Sequence, residues 1–183
     1  MSSTATIPAA PEAVKNPLPN EYLWHVHTNI ADQIKFADQK AGFVAVLATG
    51  VMGGLHTVRV HEHFTQSPVS AWGWSGWAGA AAFGLLAAAL IACFVAIAPR
   101  RRYTSPRGFI FWGAIAAYES GDEFNQELLA TSPENLTEHL SLQTYAMARI
   151  CREKYTWLNW AIGLVVAGSE LGGVLLLWAS ISG

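Results

Sequence analysis

Two stretches of this chain reach the roughly 20 apolar residues a helix needs to cross a hydrocarbon core. One runs from about Ala71 to Ala98, the other from about Trp157 to Ile181. Each carries tryptophans near its ends, as interfacial belts do: Trp72, Trp74 and Trp77 in one, Trp157, Trp160 and Trp178 in the other. Composition agrees, because only 13% of the residues are charged and 52% are hydrophobic, where a soluble domain carries about 25% charge. A third segment, Ala41 to Leu55, is short and Gly-rich, and alone it would serve equally as a buried core helix. With Lys40 snorkelling outward and Val58 and Val60 beyond it, this segment too becomes a span. The expected fold class is an all-α membrane protein with three transmembrane helices, and long helices extending from them into a small cytosolic helical region.

Basic residues set the orientation. If all three segments cross, Lys15, Lys35, Lys40, Arg100, Arg101, Arg102, Arg107, Arg149, Arg152 and Lys154 share one side, and Arg59 stands alone on the other. This positive-inside bias places the N-terminus and the region from Pro99 to Thr156 in the cytoplasm of a multi-pass membrane protein. Arg100 to Arg102 read as a topology and headgroup anchor. A net charge of −2 gives no global attraction to nucleic acid. Cys93 and Cys151 form neither a CxxC nor a disulfide framework.

The organisation that follows has five parts. Residues 1–20 form a Pro-, Ala-, Ser- and Thr-rich disordered tail without a signal-peptide pattern. Residues 21–60 hold an amphipathic helix leading into span one, residues 61–98 an outward loop and span two, residues 99–156 the cytosolic region, and residues 157–183 span three. In the first helix Leu23, His27, Ile30, Ile34 and Ala37 recur at spacings of three and four. Counting back from Asp38 by four, seven and eleven puts this carboxylate on the same, more apolar stripe, where it needs a partner. GFIFWGAIAAY, from Gly108 to Tyr118, fits a short strand or the start of a helix, and Glu119 to Ala130 reads as helix. Ser132-Pro133-Glu134 is a helix-start signal opening one long helix that runs without a breaker into span three.

Glu170 falls near the midpoint of span three, where an unpaired carboxylate costs at least about 2.5 kcal/mol. It must be neutral, paired or turned to a polar cavity, as a gating residue or as oligomer glue. GxxxG patterns at Gly50–Gly54 and Gly168–Gly172 favour close helix packing. His56, His61 and His63 on the outward loop lack the further ligands of a zinc site, so no metal is expected. No nucleophile elbow, P-loop, zincin helix or kinase element is present, so no catalytic residue is assigned and the chain reads as a non-enzyme.

Two blocks carry a resemblance. One is HTNIADQIKFADQKAG from His27, an amphipathic helix passing through an ADxKAG element into a span. The other is QTYAMARICREKYTWL from Gln143, with a Lys-Tyr pair before the last span. Together they resemble the transmembrane effector family of Pycsar, the bacterial anti-phage system built around a pyrimidine cyclase. The resemblance covers roughly residues 21 to 181. It implies an antiviral effector that senses cyclic CMP or cyclic UMP and impairs the inner membrane, causing abortive infection. The partners implied are the cyclic pyrimidine nucleotide, the lipid bilayer and further copies of the chain as a homo-oligomer, with no bound cofactor.

A nucleotide would have to be held by helix surfaces, since no cyclic-nucleotide β-roll is present. Arg149, Arg152 and Lys154 are the candidates for the phosphate, and Tyr145, Tyr155, Trp24 or Trp112 for the base. Asn29, Asp32 and Asp38 are placed to read ribose or base edges. Asp38 and Glu170 are the candidate switch and gating residues, Asp38 pairing with Arg149, Arg152 or Lys154. The alternative is a small membrane scaffold or interaction subunit without nucleotide binding. A lipid-modifying enzyme ranks third.

Overall fold

The computed structural model describes residues 20–65, 68–99 and 107–182. The N-terminal tail expected over residues 1–20 lies outside them up to residue 19, as do Arg100 to Arg102 of the basic patch. Among the described residues the fold is helical throughout, with no strand. Three long helices form its body: α1 (Asn20–Thr57), α3 (Trp74–Ile97) and α6 (Pro133–Ser182). The described residues also form three short α-helices, α2 (Glu62–Thr65), α4 (Trp112–Ile115) and α5 (Gly121–Ala130), and a 3-10 turn at Val69–Ala71. The amphipathic helix expected to lead into the apolar segment after Lys40 does so without interruption, as one helix of 38 residues. α6 has 50 residues, a rod of about 75 Å at 1.5 Å per residue.

Helix ends follow local chemistry. At the start of α6 the Ser132 hydroxyl accepts from the Asn135 N–H at 3.3 Å, and Pro133 occupies the first helical position. Ser120 caps α5 in the same way through the Glu123 N–H. α1 stops at Thr57 in a six-to-one turn closed by the Val60 N–H on the Leu55 carbonyl and the Arg59 N–H on that of His56. Arg59 takes the left-handed backbone this motif requires, with φ 62°. Val60 therefore folds back against Leu55 in the core instead of prolonging the span. Pro99 cannot continue α3, and Ala98 before it is already extended.

α1 and α6 lie side by side and parallel, in one constant register. Thr137 bonds to Asn20 and Thr144 to His27, both 117 residues apart. Ala41 packs with Leu158, Ala48 with Val165, and Leu55 against Gly172 at the same spacing. The cause is a seven-residue repeat on both helices. On α1 it runs through His27, Ile34, Ala41, Ala48 and Leu55, with Ile30, Ala37, Val44 and Val51 three residues on. On α6 it runs through Thr144, Cys151, Leu158, Val165 and Gly172, with Leu140, Met147, Lys154, Ala161, Gly168 and Leu175. All of these are buried or half-buried. A sustained period of seven keeps one seam facing its partner over many turns. α3 packs antiparallel into the groove of this pair through Ala82, Leu86, Ala89, Ala92, Cys93 and Ala96.

Close approach rests on two glycines of α6. A Cβ at Gly168 would lie 2.9 Å from Leu86 Cγ and 3.2 Å from the Ala82 carbonyl oxygen, and one at Gly172 would lie 2.8 Å from Leu55 Cδ2. α3 and the apolar half of α6 are long and apolar enough to cross a membrane. Gly168→Val should therefore destabilise the bundle by about 1–3 kcal/mol through overpacking. Gly84→Ala, where an added Cβ meets nothing within 4 Å, should leave the melting temperature in detergent unchanged or raised. Equal losses in the two variants would contradict this packing.

Candidate ligand cavity and interhelix clasp

Lys154 falls on the seam of α6 where every neighbour in the repeat is apolar or small, and only 5% of its side chain is exposed. A buried ammonium must use its three donors. Nζ donates to Asp38 Oδ1 at 2.5 Å, to the Ala96 carbonyl at 2.7 Å and to the Ile97 carbonyl at 3.4 Å. The two carbonyls belong to the last turn of α3, whose C-terminal oxygens have no partner within the helix and carry its negative dipole end. One side chain thus ties α6 to α1 and closes the end of α3. Asp38 stands beside Ala37 at the edge of the seam, and 37% of its side chain is exposed. One residue further on, the Tyr155 hydroxyl donates to Gln33 Oε1 at 3.0 Å, and Lys40 Nζ lies 5.8 Å from the Tyr155 ring centre.

Toward the free tips of α1 and α6 the seam turns polar. The Thr144 hydroxyl gives its one proton to the Leu140 carbonyl at 2.7 Å, so at 3.2 Å from His27 Nδ1 it accepts. The neutral His27 imidazole therefore carries its proton on Nδ1. Burial holds this imidazole below its ordinary value of 6.5. At the tip the Thr137 hydroxyl donates to Asn20 Oδ1 at 2.7 Å.

There the helix tips and the segment from Arg107 to Ala130 enclose an open cavity of about 280 Å³. Asn20 and Trp24 line it from α1, Phe109 from the connecting segment, Leu128 from α5, and Leu136 and Thr137 from α6. Phe109 is fixed by rings on three sides, with centroids 6.5 Å from Tyr118, 6.1 Å from Phe124 and 5.4 Å from His139. Arg107 braces the same segment. Its Nη1 donates to Glu123 Oε1 at 2.7 Å, and its guanidinium lies 5.3 Å from the Tyr118 ring centre. The 108–118 segment, open between strand and helix in the sequence, is irregular with the single turn of α4. That shape lets Phe109 enter the cavity wall.

The expected site residues are not gathered at one place. Lys154 and Asp38 meet, and Tyr155 straps α6 to α1. Asn29 is exposed on α1, and Asp32 pairs along its own helix with Lys35 at 3.2 Å. Arg149 and Arg152 are exposed on the outer face of α6, as is Tyr145. Among the described residues no hydrogen bond or ion pair links Asn29, Asp32, Arg149 or Arg152 to one another. Glu170 is exposed on the same outer face. Trp24 lines the cavity, and Trp112 does not. Asn20, Phe109 and Thr137 belong to none of the sequence motifs, and the sevenfold spacing from Thr137 through Thr144 to Leu158 is the signal that locates their end of the seam.

These features define an all-helical protein in which two parallel helices join a cavity of small-molecule size to apolar segments of membrane-crossing length. A family model described as the Pycsar effector protein domain matches residues 22–182, and the chain belongs to this family. Its role is that of an anti-phage defence effector, the downstream arm of the system and not the cyclase, and membership implies response to a cyclic pyrimidine nucleotide signal. No curated protein and no solved structure matches the chain.

Two predictions follow from the seam. Removing Asp38 strands an ammonium that is almost wholly buried, whereas removing Lys154 leaves a carboxylate that water already reaches. Breaking a buried pair costs about 3–5 kcal/mol. Asp38→Ala should approach that figure from below, Lys154→Met should cost less, and the double variant should melt above Asp38→Ala alone. The second concerns pH. Because the folded pKa of His27 lies below its unfolded value, the unfolded chain binds the proton first as pH falls. The stability His27 contributes is present above pH 6.5 and is lost as pH drops through the folded pKa. Melts in detergent between about pH 7 and pH 5 should show a shallower fall in His27→Gln than in the natural chain.

Proposed function

We propose that the chain is a three-span inner-membrane effector with a cytosolic N-terminus, which binds cyclic CMP or cyclic UMP in the cavity between the tips of α1 and α6 and impairs the membrane in response. The observation that carries this reading is the single register of α1 and α6, which runs from the cavity, through the clasp at Lys154, into the apolar half of α6. The bias of ten basic residues to one supports the orientation. α1, less apolar than α3 and α6, crosses as their third partner. A pyrimidine stacks on Trp24 or Phe109, Asn20 and Thr137 offer amide and hydroxyl groups to a base edge or ribose, and Arg107, two residues before Phe109 and outside the cavity lining, reaches the phosphate by exchanging its bond to Glu123.

Signalling is a population shift. The nucleotide must bind one packing of the helix tips better than the resting one. A parallel pair in register transmits a shift at the tips along the seam to the point where Lys154 holds the end of α3. Three helices do not enclose an aqueous pore by themselves, so permeation proceeds through assembly or lipid disruption.

Calorimetry on the purified protein with cyclic CMP and cyclic UMP tests the reading. One of the two should release heat, and Trp24→Ala should weaken binding about 5- to 100-fold, the worth of one base stack. Asp38→Asn, which loosens the clasp, should raise growth arrest and dye uptake in cells without the cyclase. Absence of heat with both nucleotides would overturn the sensing role. Binding that survives Trp24→Ala but is lost in Arg149→Ala with Arg152→Ala would move the site to the outer face of α6.

A further inference from the structure

The outer face of α6 takes no part in the cavity, the clasp or the seam, yet it is not built for lipid. Asn159, Gly163, Val166, Val174 and Leu177 each lie within about 40° of Glu170 around the helix axis at 3.6 residues per turn, and together with it form one stripe. All six are exposed. Glu170 has no hydrogen-bond or ion-pair partner among the described residues. It sits deep within the apolar half of α6 that is long enough to cross a membrane. Lipid offers a carboxyl group nothing to bond with, and its exposure there costs at least about 2.5 kcal/mol.

The glycines of α6 divide in two. Gly168 and Gly172 are filled from within the subunit by Leu86 and Leu55, whereas a Cβ at Gly163 or Gly173 would meet nothing within 4 Å. The latter two lie on either side of Glu170 along the helix and leave room for another backbone to come close. The polar groups on the stripe are self-complementary. A carboxyl carrying its proton is both donor and acceptor, and so is the carboxamide of Asn159. Groups of this kind pair with their own copies across a two-fold axis, which brings equal depths of two parallel helices together.

We infer that a second copy of this chain covers the stripe, α6 against α6, with the two Glu170 carboxyls bonded to each other inside the membrane. Glu170 is then an assembly residue, and the inner and outer faces of α6 serve the subunit and the dimer respectively. The inference rests on the proposal that α6 crosses the membrane, and the test separates the two.

Single cysteines are introduced into the full-length natural chain, whose Cys93 is buried and whose Cys151 gives the background. Inner-membrane vesicles are washed with alkaline carbonate and then oxidised. Val166→Cys, Val174→Cys and Leu177→Cys should form disulfide-linked dimers several-fold more than Val46→Cys on α1 and Ile91→Cys on α3, both exposed on other faces. In the Val174→Cys chain, Glu170→Gln should keep the cross-link and Glu170→Leu should lower it several-fold. Equal cross-linking at all five positions, or none on the stripe of a protein retained in the washed membrane, would overturn the dimer while leaving the membrane reading intact. Release of the protein by carbonate would overturn the membrane reading and this inference with it.

Discussion

One ammonium group holds the three long helices in place. Lys154 spends its donors on a carboxylate of α1 and on two carbonyls at the end of α3. Buried ion pairs add little net stability, because the desolvation of both charges offsets their attraction. What this pair supplies is register. A seam of Ala, Gly, Val and Leu repeating every seven residues packs almost as well when one helix slides by seven. Such a slide would set Lys154 opposite Ala31 or Ala45 instead of Asp38. An unpartnered ammonium in that seam would cost far more than the small differences in apolar contact, so only one register survives.

The same pair explains how much of the fold the sequence disclosed. Spacings of three and four marked α1 as a helix, and Ser132-Pro133 marked the start of α6, because caps and periodicity are local. Which faces meet is not local. Read on the three-and-four stripe, Asp38 looked buried. The seam passes through Ala37 and Ala41, and Asp38 stands at its flank, which is why its side chain remains 37% exposed. The sevenfold repeat is visible on α1 only when followed from His27 through the Gly-rich span to Leu55, across the change from polar to apolar composition that had seemed a boundary.

The candidate site was less legible than the fold. Charge alone points to the basic residues near the last span as ligand contacts, whereas the structure turns Arg149 and Arg152 outward and buries Lys154 against Asp38. The cavity depends on Phe109, whose position is set by Tyr118, Phe124 and His139 from three different elements. No spacing along an irregular connection foretells such a cluster. Trp24 was nameable from its aromatic ring alone, but its neighbours were not.

Position along the rods gives the arrangement its mechanical sense. From Thr137 at the cavity to Lys154 is about 25 Å along α6, and from Lys154 to Glu170 about the same, at 1.5 Å per residue. The clasp therefore stands midway between the cavity and the carboxyl in the apolar half. Between the cavity and the clasp, α6 from Thr137 to Lys154 and α1 from Asn20 to Asp38 contain neither proline nor glycine, so neither has a built-in hinge over that distance. Bending could not carry a signal between the ends without breaking helix hydrogen bonds. A displacement of α1 against α6 can, and Lys154 resists it, since any slide lengthens its bond to Asp38. A ligand that wedges the tips apart works against that one contact, and the half-exposed carboxylate gives water a route to take its place.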